Sequence, residues 1–198
     1  VLAVGGNFYT CREGWTGHLG DRHDLNLIGK QNDLVKAIIE TGKPTVVILL
    51  NGRPLTVNYA AENADALIEG WYLGQETGRA IADVLFGDVN PGGKLPISIP
   101  RNVGQLPVYY NHKNSENRNI FYFFSNTPLY PFGHGLSYTS FEYSDLKISQ
   151  TPMTKNNPIE ISCSIKNTGN RKGDEVVQLY INDPVATATR PVKELKGF

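Results

Sequence analysis

The spacing of hydrophobic and polar residues changes its period several times along the chain. Val1-Leu-Ala-Val4 is a short apolar run that reads as a buried strand and stops at Gly5-Gly6-Asn7, where glycines permit a sharp turn. Gln31, Leu34, Val35, Ile38 and Ile39 then fall at helical spacing, and Gly42 with Pro44 supplies the stop. The next run, Thr45-Val-Val-Ile-Leu-Leu50, is continuous and β-branched, as expected of a strand covered on both faces. A weaker helix is expected over 55–63. After it, Ala66-Leu-Ile68 continues toward Trp71 and Tyr72, and a third helix over 75–86 sets Ala80, Ile81, Val84 and Leu85 on one face before Gly87. Strand and helix alternate three times, which predicts a layered α/β sandwich with a largely parallel sheet. Gly92 to Pro100 is expected to add a last strand, kept to an edge by its prolines.

From Arg101 to about Ser140 no regular period holds, and the segment is dense in Asn, Tyr, Phe and Pro. Aromatics at this density are expected to anchor a long connection onto its neighbours; a wall of a sugar pocket is the sharper alternative. Beyond Phe141 the rhythm is that of short strands, at 144–148, 159–165 and 175–181, with Asn/Gly-rich turns between them. That rhythm predicts part of an all-β sandwich. The expected division is 1–108 for the α/β domain, 109–140 for an aromatic connector and 141–198 for the β domain. A start at Val1 inside a strand pattern and a sandwich of about half the usual size lead to the expectation of a piece of a longer polypeptide.

Composition narrows the partners. The 19 basic and 19 acidic residues cancel, and no long run of one sign occurs, so neither nucleic acid nor an anionic membrane is favoured. A neutral substrate suits the chain better. The longest apolar stretch, Val46 to Leu50, is far below the roughly 20 residues of a membrane span. Cys11 and Cys163 fall in different expected domains and read as free thiols.

Candidate chemistry gathers in the loop from Tyr9 to Leu27, YTCREGWTGHLGDRHDLNL, which follows the first strand. Ligand crevices of such sheets lie outside the carboxyl ends of the strands. Its Glu13, Arg12 and Trp15 make it a candidate saccharide or anion site, and Asp21 with Arg22 reads as a pair that braces the loop. Phosphate binding by the Gly5-Gly6 turn is disfavoured, because the G-x-G-x-x-G spacing is absent and no helix is expected to open at once. His18 and His23 lack a partner set at zinc spacing, so no metal and no cofactor is expected. Acyl-transfer hydrolysis finds no G-x-S-x-G. A non-catalytic saccharide-binding module stays open as the rival reading.

Several stretches together resemble glycoside hydrolase family 3, the β-glucosidase and β-xylosidase family. They are Cys11-Arg-Glu-Gly-Trp15, Gly20-Asp-Arg22, Asn51-Gly-Arg-Pro-Leu55, Ala80-Ile-Ala-Asp-Val-Leu-Phe-Gly-Asp88, Asn90-Pro-Gly-Gly-Lys-Leu-Pro96 and Leu129-Tyr-Pro-Phe-Gly-His-Gly-Leu-Ser-Tyr-Thr139. Lys166-Asn-Thr-Gly169, Gly173-Asp-Glu-Val-Val-Gln-Leu-Tyr180 and Arg190-Pro-Val-Lys-Glu-Leu-Lys-Gly-Phe198 are similar to that family's fibronectin type III-like domain. The resemblance implies an amino-terminal (β/α)8 barrel outside this chain, which would supply the aspartate nucleophile. It also implies that Glu13 is the general acid/base, that the substrate is a β-glucoside or related oligosaccharide, and that the location is periplasmic or secreted.

Overall fold

The computed structural model describes residues 1–11, 22–113, 125, 127–149, 154 and 158–198. Three parallel strands, β1 (Leu2–Gly5), β2 (Val46–Leu50) and β3 (Ala66–Glu69), form one sheet in that order. Leu2 pairs with Val47 and Val46 with Ala66, so all three carboxyl ends finish at one edge. Among the described residues four α-helices accompany it: α1 (Phe8–Cys11), α2 (Gln31–Ile39), α3 (Asn58–Asn63) and α4 (Thr77–Phe86), the last entered through a 3-10 turn at Gly74–Glu76. The fold is therefore an α/β layer with a parallel sheet, followed by antiparallel β structure.

The apolar run of the second strand explains why it is central. Successive strand residues face opposite sides, and Val47, Ile48 and Leu49 are all buried. Val47 and Leu49 join Val4, Leu27, Val35, Leu55, Val57 and Ala60 in one core, while Ile48 is buried on the opposite face. The expected α2 face is wider than the one the core covers: Val35 is buried and Ile39 packs on the cluster, whereas Leu34 and Ile38 stay exposed. Helix α4 is amphipathic by pattern, yet it has no buried residue; Ile81, Val84 and Leu85 are half-buried. It ends at Gly87, whose φ of 81° is the left-handed stop that glycine accepts without a side-chain clash.

Three local expectations are corrected. A helix does open directly after the first turn: α1 is held by a reciprocal cap, in which Asn7 Oδ1 accepts from the Thr10 N–H at 3.0 Å and Thr10 Oγ1 accepts from the Asn7 N–H at 2.9 Å. Residues 92–100 form no strand. They pair with residues 129–134 at two places only, where Leu95 donates to the His134 carbonyl and accepts from the Gly133 N–H, and Ile99 donates to the Tyr130 carbonyl and accepts from the Leu129 N–H; Pro96 and Pro100 remove donors beside them. The β segment over 175–181 is a strand only at its end.

The later β structure is a pair of two-stranded antiparallel sheets: β4 (Phe141–Ile148) with β5 (Ile161–Asn167), and β6 (Leu179–Ile181) with β7 (Glu194–Gly197). Aromatic residues between 109 and 140 touch both the α/β layer and the later strands. Tyr110 stacks on Phe132 with centroids 4.2 Å apart and meets Tyr180 edge-on, and the Tyr138 hydroxyl donates to the Val84 carbonyl at 2.9 Å. Lys94 and Glu175 form an ion pair of 3.4 Å between the α/β layer and the β region.

Candidate functional site

The site is built where the three parallel strands end. At β1 the chain turns through Gly5, whose φ is 137° and where a Cβ would run into the Leu50 carbonyl. Gln31, at the start of α2, fixes this turn with both halves of its amide. Its Oε1 accepts from the Gly5 N–H at 2.7 Å and its Nε2 donates to the Gly5 carbonyl at 2.8 Å. The first loop therefore leaves the sheet from a backbone held on two sides.

At β2 the chain leaves through Asn51, fully buried, whose Nδ2 donates to the Arg53 carbonyl at 2.7 Å. The Arg53 Nε and Nη2 atoms are shut off from solvent at the same edge. At β3 the last residue is Glu69, and its Oε1 accepts from the Trp71 N–H at 3.1 Å. Burial pushes the Glu69 carboxyl up to about 7, against the opposing pull of that N–H and of the Asn51 side chain. Trp71 itself sits at φ 51°, a left-handed conformation for an aromatic residue. Between the Gly5–Asn7 turn and the segment from Trp71 to Thr77 lies a cleft of about 580 Å3. Its exposed ring is Tyr72, whose hydroxyl donates to the Gly6 carbonyl at 3.3 Å.

Of the residues singled out by sequence, Arg12, Glu13, Trp15, His18 and Asp21 lie outside the described residues. Arg22 is described, and its Nη2 donates to Asp24 Oδ1 at 2.7 Å with both side chains mostly shielded. Asp24 also accepts the Asn26 N–H at 2.9 Å. That backbone bond, with the adjacent Arg22 charge, holds the Asp24 carboxyl below its usual range although burial acts the other way. Asp24 was thus missed as the partner of Arg22, although an Arg-x-Asp spacing allows this contact. Leu25 continues the anchoring, since its carbonyl accepts from the Thr56 N–H at 2.8 Å. His134 stacks on Tyr130 at 5.0 Å, and burial lowers its affinity for a proton.

Sequence reasoning missed Glu69, Asn51 and Trp71 as a group. The available signal was a carboxylate directly after Ala66-Leu-Ile68, where a strand run meets the crevice edge. Among the described residues no cluster of three metal-ligating side chains occurs, and no helix is long and apolar enough to cross a membrane.

Comparison with known proteins defines the class first: this α/β layer is the kind found in glycosyl hydrolases. Residues 1–138 match the glycosyl hydrolase family 3 C-terminal domain, and residues 175–198 match the fibronectin type III-like domain. The chain belongs to glycosyl hydrolase family 3. It is 49% identical over 201 residues to a β-xylosidase of Formosa agariphila and 46% identical over 208 residues to a periplasmic β-glucosidase of Salmonella typhimurium. Each alignment covers 100% of this chain and 27% of the relative. A β-glucosidase structure from Erythrobacter marinus superposes with a TM-score of 0.91 at 49% identity, over 98% of this chain and 26% of that one. The β-glucosidase of Listeria innocua in complex with glucose gives 0.83 at 41% identity, over 99% and 28%. The chain thus spans about a quarter of the length of the relatives it matches.

Proposed function

We propose that this chain is part of a retaining, exo-acting β-glycosidase that removes terminal non-reducing β-D-glucosyl or β-D-xylosyl residues. In this reading Glu13 is its general acid/base, and an aspartate from a (β/α)8 barrel elsewhere in the polypeptide is the nucleophile. The observation that carries the reading is the family match over residues 1–138, which includes the Glu13 loop. Both sugars are kept because the relatives of 49% and 46% identity carry the two names.

Retention needs two carboxyl groups about 5–5.5 Å apart, one attacking the anomeric carbon and the other protonating the departing oxygen. Glu13 would protonate that oxygen and, once the glycosyl-enzyme has formed, take a proton from the incoming water. The acid has to keep its proton near neutral pH, which an apolar neighbour such as Trp15 and the nucleophile's charge both favour. Arg12 would oppose that shift if it faced Glu13, and its proposed role is a contact to the sugar, shared with Trp15. Asp21 and Arg22 are proposed to brace the loop, a role supported by the tie from Arg22 to Asp24.

The test is Glu13→Gln in the complete polypeptide, assayed on cellobiose and on an aryl glucoside with a good leaving group. An activated leaving group needs little protonation. The expected loss on cellobiose is roughly 10²–10⁴-fold, the range of general acid catalysis, with a much smaller loss in the glycosylation of the aryl substrate. Small, equal losses on both substrates would remove Glu13 from the acid role.

A further inference from the structure

Three observations converge on the carboxyl ends of β2 and β3. Trp71 is held at φ 51°, a left-handed conformation that a non-glycine residue keeps only where its surroundings over-determine it. The surroundings here are specific: the Trp71 N–H is taken by Glu69 Oε1, and the Glu69 carboxyl lies against the Asn51 side chain. Finally, Asn51 Oδ1 is closed off from solvent with no hydrogen-bond partner among the described residues, while its Nδ2 is committed to the Arg53 carbonyl.

A buried amide oxygen without a donor is costly, and so is a buried carboxylate. A Glu69 that keeps its proton would answer both, its O–H turned to Asn51 Oδ1 and its other oxygen still accepting from Trp71. Burial favours that neutral form. If the pocket only needed filling, an apolar side chain would do so without burying a carboxyl group. A carboxyl in this place holds three backbone-linked groups at once: the Asn51–Arg53 turn, the end of β3 and the Trp71 peptide.

We propose that Glu69 is a positioning residue for the glycosidase reaction, fixing with Asn51 the Trp71 backbone and thereby the aromatic wall of the cleft at the carboxyl end of the sheet. This rests on the glycosidase reading given above. Glu69 touches no substrate in this role; it acts through Trp71, whose neighbour Tyr72 presents its ring to the cleft.

The test uses the complete polypeptide, with kcat and KM measured well below the melting temperature on both the aryl glucoside and cellobiose. Glu69→Gln keeps an acceptor for Trp71 and offers an N–H to Asn51, so its kcat is expected within about threefold of the parent. Glu69→Ala removes both, and kcat is expected to fall roughly 10–100-fold, the scale that a misplacement of about 1 Å produces. The fall should be equal on the two substrates and larger than any change in KM. If the alanine variant does not fold, Glu69→Asp carries the same comparison, because its carboxyl is drawn back by one methylene. A glutamine variant as impaired as the alanine or aspartate one overturns the proposal, since the charge itself would then be required. A folded alanine variant with unchanged kcat overturns it as well. Failure of the acid/base reading is seen separately, in the ratio of the two substrates for Glu13→Gln.

Discussion

The two regions of the molecule are held together in different ways. Every buried apolar residue among those described lies between Val4 and Pro100, in the α/β layer and the segment that runs from it. Beyond Thr139 no described residue is buried: β4 exposes all but its first position, and so does β5. The α/β layer therefore has a core of its own. The β region is instead joined to it along a polar and aromatic seam. Asn90 bonds Ser137 and the Tyr138 N–H, Lys94 bonds the Gly135 carbonyl, Thr139 bonds Asn167, and Arg171 reaches the Gly87 carbonyl at 3.3 Å. Apolar burial sets cohesion on one side; on the other, directional bonds set register.

The largest effect should therefore come from the core. Leu55 is 2% exposed and packs among Val4, Val35 and Val57. Leu55→Ala should destabilise the chain by about 2–5 kcal/mol, the sum of lost transfer energy and a cavity that its neighbours fill only in part. Urea unfolding followed by far-ultraviolet circular dichroism measures it. A loss below about 1 kcal/mol would mean that the layer tolerates the void, and the contrast with the β region would weaken.

The seam ranks next. Lys94 and Glu175 are 15% and 16% exposed at their side chains, and Glu175 also accepts from the Tyr143 hydroxyl at 2.9 Å. Burial and that bond push Tyr143 up to about 12. Lys94→Met strands a shielded carboxylate, and the expected cost is about 2 kcal/mol, less than a fully buried pair would give because some solvent reaches it. Lys94→Met combined with Glu175→Leu should recover most of that loss, since no lone charge is then left. If the double variant is as unstable as the sum of the two single ones, the pair does not couple the regions.

The same difference explains what could be read from the sequence. The parallel sheet was legible because Thr45–Leu50 is apolar at consecutive positions, a pattern imposed by burial on both faces. Helix α2 was legible because Val35 and Ile39 recur at the helical interval. The β region was legible in part: Ile159-Glu-Ile-Ser-Cys-Ser-Ile165 alternates strictly, and β4 and β5 formed where that rhythm placed strands. The short β7 was not foreseen, and β6 proved shorter than its apolar run. At the site, the crevice edge followed from the strand order and the Glu13 loop from its residue types. The Glu69, Asn51 and Trp71 group was hidden, because it depends on the register that sets Leu49 beside Glu69 across two strands. The cap at Asn7 and Thr10 was visible as a spacing but lay inside a stretch read as loop.

The smallest effect should come from a large apolar residue in the β region. Leu146 is 68% exposed and lies within the irregular step of β4, between Ser144 and Lys147, next to Asp145 at φ 52°. Its side chain gives up little apolar contact on replacement, and its backbone lies where the ladder of partners shifts. Leu146→Ser in this chain should change stability by less than about 0.5 kcal/mol, as surface substitutions away from special features do. Thermal melts of the two proteins side by side would show it. A loss of about 2 kcal/mol or more would require a covered face on β4, and the distinction between a region with a core and a region held by its seam would fail at this strand.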